Sequence, residues 1–268
     1  MVRLIFSRRW RITSLFVLFG IGLTIRLGIW QVDRYLGNKA FAAHLAAMQR
    51  ATPLTLGRGP QPADLTGMEY RAVQATGTFD FTHQIAVRNQ IWAQSWGNET
   101  GYILVTPLLF PDGSAVLVDR GWIPLKYSTP ASWRQFDNPG PVTVGGVVRL
   151  PAVPEMGGAS DPTLAPGQNS LDVWNLINIK RLQSQMPYPI LPVYIQQAPL
   201  GESPQYGESP QYGDNSVLPF RTLPDPDLSE EGINAGYATM WFIFTALLFF
   251  GYPVYLSKQT AEPSGRKK

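Results

Sequence analysis

The stretch ITSLFVLFGIGLTIRLGIW, from Ile12 to Trp30, is apolar along nearly its whole length. A helix of about 20 such residues crosses the ~30 Å hydrocarbon core of a lipid bilayer. Its one charged residue, Arg26, lies within about a turn of the polar end, where a long basic side chain can reach the interface. We therefore predict a transmembrane helix at residues 12–30, which makes the chain a membrane protein.

A second apolar run, GYATMWFIFTALLFFGYPVYL, extends from Gly236 to Leu256 and carries no charge. Pro253 lies in its last turns, where we expect it to kink or end the helix. The outer flanks of the two runs are basic, with Arg3, Arg8, Arg9, Arg11, Lys258, Arg266, Lys267 and Lys268. Because basic flanks favour the cytoplasmic side, both termini are predicted to be cytoplasmic and the intervening chain to be outside.

These two runs predict the domain organisation. Residues 1–11 form a cytoplasmic N-terminus, 12–30 and 236–256 the transmembrane helices, 31–235 an extracytoplasmic domain and 257–268 a cytoplasmic basic tail. An uncleaved anchor is favoured over a cleaved signal peptide, because no small-x-small cleavage site directly follows the first run. The short basic stretch before that run favours a bacterial plasma membrane, with the mitochondrial inner membrane as the alternative.

Composition excludes several kinds of site. The 268 residues include no Cys and only two His, so disulfides and thiolate metal sites are impossible. The net charge is only +3, and the basic residues gather at the two ends, which does not resemble a nucleic-acid footprint. No nucleophile elbow, phosphate loop or metalloprotease motif occurs, so we expect no catalytic or metal-binding residues and regard an enzyme as the less favoured class.

The central region is predicted to be β-rich. Apolar runs bounded by Gly, Pro, Asn or Asp indicate strands at Tyr70–Ala75, Gln84–Trp92, Tyr102–Phe110, Ala115–Ile123, Val142–Leu150 and Ile190–Gln196. Within LLFPDGSAVLV the Pro-Asp-Gly-Ser segment predicts a hairpin turn. We therefore predict an α+β domain built on an antiparallel sheet or open barrel.

Two other segments of this domain stand apart from the strands. The composition of Asp172–Met186 makes it the best candidate for a helix. The tandem duplication GESPQYGESPQYG, residues 201–213, is predicted to be a flexible loop, because its composition cannot bury a core.

Small residues recur every four positions on the first helix, at Gly20, Thr24 and Gly28. Such a stripe lets a second helix pack closely, and the second apolar run offers Ala238, Thr239, Thr245 and Ala246. The alternative is chance, because Gly is common in membrane helices.

Binding residues are predicted first in LGIWQVDRYLGNK, where the apolar run ends. Trp30 and Arg34 are four residues apart on one helical face, so the guanidinium can lie against the indole ring, and Gln31 adjoins them. The alternative for Trp30 is an ordinary aromatic residue at the membrane interface. Arg34 fits that alternative less well, because it lies on the side where basic residues are not favoured.

The second candidate is the segment VDRGWIP, Val118 to Pro124. Strand alternation predicts that Arg120 and Trp122 share a face, and Gly121 would allow another backbone to approach. A structural role, in which Arg120 stacks on Trp122 and bonds a loop, is at least as well supported as a binding role.

The order of these pieces resembles the surfeit locus family of cytochrome c oxidase assembly proteins. The matching segments are LGIWQVDRYLGNK (Leu27–Lys39), YRAVQATGTFD (Tyr70–Asp80), GYILVTPLLFPDGSAVLVDRGWIP (Gly101–Pro124), VWNLINI (Val173–Ile179) and YATMWF (Tyr237–Phe242). The resemblance spans the chain from the first apolar run to the second. It implies a non-enzymatic factor with a helix at each end of an outer domain, acting in the biogenesis of haem-copper oxidases.

The resemblance also implies partners and a cofactor. Bacterial members are thought to handle haem a on its way to the largest oxidase subunit. Client- or haem-propionate-binding residues would then be Trp30, Gln31, Arg34, Arg120, Trp122, Tyr237 and Trp241. Where the family carries a His proposed to contact haem, this chain has Asn234, and Asn is a poor axial ligand for iron.

The resemblance therefore supports client binding better than haem ligation, and we expect the two other candidates, His44 and His83, to be structural or solvated. A different class of function also remains open. The chain could be a general extracytoplasmic interaction module, unrelated to respiration, carried on two membrane anchors.

Overall fold

The computed structural model of the chain describes residues 7–59, 62, 64–94, 97–151, 161–164, 167–168, 170–199, 218–224 and 233–261. The predicted flexible loop at 201–213 lies outside these residues. The chain forms two compact units, one made of Met1–His44 with Pro226–Lys268 and the other of Leu45–Asp225.

The regular elements follow one another in an α, β-rich, α order, as predicted. In chain order they are α1 (Arg11–Arg50), β1 (Leu54–Leu56), β2 (Ala72–Phe79), β3 (Ile85–Gln94), β4 (Gly97–Leu109), β5 (Ala115–Pro124), α2 (Pro130–Trp133), β6 (Pro141–Arg149), β7 (Val173–Trp174), α3 (Ile179–Leu182), β8 (Ile190–Gln197) and α4 (Ile233–Ala261).

Helices α1 and α4 are long and apolar enough to cross a membrane. Large apolar side chains remain exposed along both, with Phe16 and Phe250 about two-thirds exposed at 70% and 68%. Helix α1 continues without a break past its apolar part to Arg50. Helix α4 does not end at Pro253, which lies inside it.

The β-rich unit contains one eight-stranded sheet in the order β1-β2-β6-β8-β5-β4-β3-β7, with an additional pairing between β2 and β4. Most neighbouring strands are antiparallel, as expected, but β1–β2, β3–β7 and β5–β8 are parallel. The sheet is therefore mixed. The parallel pairs arise because the chain crosses over before β2, β7 and β8, which the strand pattern alone does not reveal.

Each predicted strand overlaps an observed one, and the β4–β5 hairpin is confirmed. Its turn is closed by the Phe110 amide donating to the Ser114 carbonyl at 2.8 Å. Strands β1 and β7, of three and two residues, were not predicted, because so short a run shows no alternation.

The predicted helix at Asp172–Met186 is wrong over its first half. Val173 and Trp174 form β7 beside β3, and the indole of Trp174 is buried. Asn178 then caps a single helical turn, α3, through its side-chain oxygen and the Arg181 amide. Tertiary pairing and a local cap therefore override the helical composition.

Strand β5 lies between β4 and β8 and is buried along almost its whole length. Its apolar side chains alternate between two parts of the core. Val116 and Val118 belong to the larger cluster, with residues of β2 and β6, whereas Leu117 packs with Val105. This central strand carries the polar residues that define the sheet-domain site.

Candidate functional site

The helix unit brings together the small-residue stripe that the sequence predicts. The hydroxyl groups of Thr24 and Thr245 lie 2.8 Å apart. A Cβ atom added at Gly28 would lie 2.9 Å from the ring of Phe242, so a larger residue there would require that ring to shift. The packing of α1 on α4 through the stripe is therefore confirmed.

The register of this antiparallel pair places the predicted binding residues of both helices at one end. The hydroxyl groups of Ser14 and Tyr252, 2.7 Å apart, mark the opposite end. Gly28 of α1 lies opposite Phe242 of α4. Beyond this contact, α1 continues to Trp30, Gln31 and Arg34. On the same side of the contact, α4 carries Trp241, Tyr237 and Asn234. We call these six residues the helix-end surface.

On α1, Arg34 stacks on Trp30 as predicted, with the guanidinium carbon 5.8 Å from the ring centroid. Trp30 is 45% exposed. The side-chain oxygen of Gln31 is buried and has no hydrogen-bond partner among the described residues. This face therefore combines a basic group, an exposed aromatic ring and a side-chain oxygen that can still accept a hydrogen bond.

On α4, the three predicted residues differ in exposure. Tyr237 is 48% exposed, whereas Asn234 is only 5% exposed. Trp241 is half-buried and meets Phe244 edge to face, with ring centroids 6.0 Å apart. The phenol of Tyr237 is therefore accessible to a partner, and the Asn234 amide is enclosed.

The iron of haem a requires an axial ligand, and the asparagine at position 234 does not suit that role. A carboxamide is a poor ligand for haem iron. His44 lies ten positions after Arg34 on α1, about 15 Å further along the helix. His83 lies in the sheet unit, where its Nδ1 is 2.6 Å from Asp80 Oδ2.

The surroundings of His83 support a structural role. Tyr188 donates its hydroxyl to the same Asp80 oxygen at 2.8 Å, and its ring meets the imidazole edge to face. Among the described residues, no group of three or more His, Asp or Glu is arranged to hold a metal ion.

In the sheet unit, Arg120 is 4% exposed and is engaged by the protein itself. Its guanidinium lies 5.1 Å from the ring centroid of Phe79 and 5.2 Å from that of Phe81. It donates to Gln84 Oε1 at 3.0 Å and to the carbonyl of Phe136. Burial lowers the pKa of Arg120 to about 10, which leaves the side chain charged at neutral pH.

The prediction that Arg120 and Trp122 share a face is wrong. A bulge interrupts the β4–β5 register, with Val105 opposite Asp119 and Leu104 opposite Gly121, so Arg120 is the extra residue. The bulge reverses the alternation and places Asp119 and Trp122 on the same face. Arg120 stacks on phenylalanine rings instead of on Trp122.

Gly121 permits the close approach that its position suggested. Its φ angle is 120°, and an added Cβ would lie 2.5 Å from the carbonyl oxygen of Phe220. The backbones of Trp122 and Phe220 exchange two hydrogen bonds, of 2.7 and 2.8 Å. The segment 218–224 is thereby held across β5.

Three aromatic rings cluster at this crossing. Trp122 stacks on Trp92 and on Phe220, with ring centroids 5.8 and 5.9 Å apart, and Trp92 lies 5.3 Å from Phe220. The indole N–H of Trp122 donates to the carbonyl of Gln90 at 3.1 Å. Trp122 is 3% exposed, so its position is set by internal packing.

A cavity of about 200 Å³ opens beside this cluster, which we call the β5 cavity. It is lined by Gln90, Ile91, Trp92, Ile103, Asp119, Gly121, Trp122, Gln196, Gln197, Phe220, Arg221 and Thr222. Sequence reasoning missed Asp119, because a carboxylate in an ordinary strand alternation would face away from Trp122. Only the bulge brings it into the cavity.

Comparison with known proteins assigns the family. The model of the SURF1 family matches residues 18–246, far more than half of the chain. A rat protein named surfeit locus protein 1 is 32% identical over 156 residues, which are 52% of this chain and 50% of that protein. The human protein of the same name is 30% identical over 146 residues, 48% of each chain.

A SURF1-like protein of Monosiga brevicollis is 31% identical over 134 residues, which are 47% of this chain and 51% of that protein. The chain thus spans about half the length of the curated relatives that it matches. The family match covers most of the first apolar run, about half of the second and the whole sheet between them. The chain belongs to the SURF1 family.

Proposed function

We propose that the chain is a membrane-anchored assembly factor for a haem-copper cytochrome c oxidase and that it binds a client subunit. The observation that carries this proposal is the family match, which extends from within the first apolar helix, through the sheet, into the second apolar helix. The two helices would tether the protein in the bacterial plasma membrane, with the mitochondrial inner membrane as the alternative that the animal relatives fit. The largest oxidase subunit is the expected client.

The helix-end surface is the proposed contact for this client. The guanidinium of Arg34 can form an ion pair with a carboxylate of the client, and the exposed rings of Trp30 and Tyr237 supply apolar contact area. Such aromatic and Arg side chains dominate the binding energy of protein interfaces. Arg120 and Trp122 are both buried, which favours a structural role for each of them over client binding.

A deletion strain tests the proposal. Assembled haem-copper oxidase, measured by reduced-minus-oxidised spectra and oxidase activity, should fall while transcripts of its subunits stay unchanged. The wild-type chain should restore the oxidase, and Arg34→Ala should restore it several-fold less well than Lys39→Ala, a matched loss of charge on the exposed face of the same helix. Unchanged oxidase in the deletion strain would refute the proposal.

The second candidate is a general interaction module on two membrane anchors. It is favoured by the accessible aromatic rings of the helix-end surface, which would serve any membrane or envelope client. Co-purification in mild detergent separates the two candidates. Oxidase subunits in the eluate support the assembly factor, and an unrelated client with no oxidase subunit supports the general module.

A further inference from the structure

The β5 cavity combines a buried acid with acceptors that have no partner. Asp119 is 8% exposed, and its Oδ1 accepts a hydrogen bond from the Gly121 amide at 2.9 Å. Among the described residues, its other oxygen, Oδ2, has no hydrogen-bond or ion-pair partner. The side-chain oxygen of Gln197, on the same cavity wall, is also buried and finds no hydrogen-bond partner within the described ranges.

A buried acceptor without a partner, such as the Gln197 oxygen, loses its hydration and gains no hydrogen bond in return, which is unfavourable. Each such group in a folded domain has a cause, such as an ordered water, an ion, strain or a functional role, and in a cavity with an aromatic wall a bound ligand is one such cause. The neighbouring wall is aromatic, with Trp92, Trp122 and Phe220 in mutual contact. Aromatic faces attract cations, and a planar guanidinium can both stack on them and donate two hydrogen bonds.

We propose that the β5 cavity binds a guanidinium or ammonium group, held by Asp119 and Gln197 against the aromatic wall. At about 200 Å³ the cavity is smaller than the sites of drug-sized ligands, so it accepts one such group on a short stem. The group can belong to a free organic cation or to an arginine side chain of a bound peptide. This inference goes beyond the proposed function, and its test requires no oxidase.

None of the described charged or titratable groups around Asp119 forms an ion pair with its carboxylate. Arg149 faces it from β6, but Arg149 is engaged with Glu69 at 3.4 Å and stacks on Tyr70. Tyr194 faces it from β8, and burial raises the pKa of that phenol to about 12, so it is neutral.

The remaining neighbours do not neutralise Asp119 either. Arg221 lines the cavity from the segment 218–224, with its Nε directed to the carbonyl of Arg120 at 3.4 Å. Arg120 itself points to the other face of β5, and β4 presents the apolar Ile103 and Val105. A bound cation would therefore supply the missing counter-charge.

The protonation of Asp119 gives the proposal a specific signature. Burial raises the pKa of this carboxyl to about 7, despite the Gly121 amide and the charge of Arg149, which both lower it. A cation binds the ionised form, whose fraction rises from about one-tenth at pH 6 to about nine-tenths at pH 8. Affinity should therefore increase about tenfold over that interval and level off above it.

The test uses the full chain in detergent micelles and titrates it with methylguanidinium chloride at pH 6, 7 and 8, followed by tryptophan fluorescence and calorimetry. We expect saturable binding, the tenfold rise in affinity and proton release on binding. N-methylurea, which has the same shape without the charge, and acetate should not bind. Asp119→Asn should weaken binding by more than about tenfold and abolish the pH dependence.

Asp112→Asn, in the exposed β4–β5 turn, is the matched control and should bind as the wild type does. The two sources of the cation are compared with N-acetyl-arginine amide. Tighter binding of that probe assigns the cavity to a peptide side chain, and tighter binding of methylguanidinium assigns it to a free cation. Absence of saturable binding by both probes at pH 8, or binding that Asp119→Asn leaves unchanged while the variant is folded, overturns the proposal.

Discussion

Arg120 shows how one residue can support the sheet domain without being available to a partner. Its guanidinium is buried between two phenylalanine rings and bonds Gln84 and the Phe136 carbonyl. Gln84 Oε1 also accepts the hydroxyl of Thr106 at 2.6 Å, so a buried polar network depends on this side chain. Arg120 thereby ties the bulge in β5 to two neighbouring segments.

Arg120→Ala should therefore lower the free energy of unfolding of the sheet domain by about 2–4 kcal/mol, because the Phe136 carbonyl loses its donor and a cavity remains. Arg120→Lys should recover only part of this loss, because an ammonium group cannot reproduce the planar stacking and the two directed bonds. The measurement is denaturant or thermal unfolding in detergent. Arg58→Ala, at an exposed position, is the control and should stay within about 0.5 kcal/mol of the wild type.

Asn234 is the second residue whose individual role a single substitution can test. The purified wild-type chain is expected to hold little or no haem a, because an amide occupies the position where the family carries a proposed axial ligand. Asn234→His should increase haem binding, seen as a shift of the Soret band. His44→Ala and His83→Ala should have no effect, and a stoichiometric haem spectrum of the wild-type protein would contradict the prediction.

In the proposed membrane, the packing of α1 on α4 would depend on small side chains and not on a hydrophobic driving force. Lipid tails are as apolar as the helices, so close van der Waals contact and interhelical hydrogen bonds favour association. Thr24 and Thr245 supply one such bond, typically worth about 0.6 kcal/mol and up to about 1.7. Gly28 permits the close approach to Phe242.

The absence of Cys from the chain makes this packing directly measurable. The double variant Thr24→Cys, Thr245→Cys should form an intramolecular disulfide on mild oxidation, because the two hydroxyl groups that it replaces lie 2.8 Å apart. Adding Gly28→Leu should reduce the cross-linking yield several-fold, since the new side chain meets the Phe242 ring. Gly22→Leu is the matched control, because nothing lies within 4 Å of an added Cβ there. Equal yields for the two leucine variants would contradict the packing.

At the scale of the whole molecule, the charge distribution of the sequence predicts a topology. Basic residues lie between each apolar run and the nearer chain terminus, so the termini should face the cytoplasm and the sheet domain the opposite side. This arrangement would present the β5 cavity outside the cytoplasm. It would also place the helix-end surface at the outer interface of the membrane.

Cysteine labelling tests this topology in intact spheroplasts. A membrane-impermeant maleimide should label Ser128→Cys, which is exposed in the sheet domain, without disrupting the membrane. Lys258→Cys, exposed near the end of α4, should react only after permeabilisation. The reverse pattern would invert the topology, and the proposed outer position of the client-binding surface would be withdrawn.

Much of this architecture was determined by the sequence itself, because the features concerned are local. Apolar length predicts α1 and α4, and turn residues predict the β4–β5 hairpin. The Arg34–Trp30 contact is local as well, since residues four apart on a helix are neighbours. Each of these interactions depends on a few consecutive turns or strands.

Features that depend on strand register and crossovers are set by contacts formed on folding. The pairing of β8 with β5, the two-residue strand β7 and the mixed character of the sheet arise from contacts between residues far apart in the chain. The bulge at Arg120 is the sharpest example, because one extra residue reverses which side chains share a face. That single shift separates Arg120 from Trp122 and brings Asp119 into the cavity, where burial changes its chemistry.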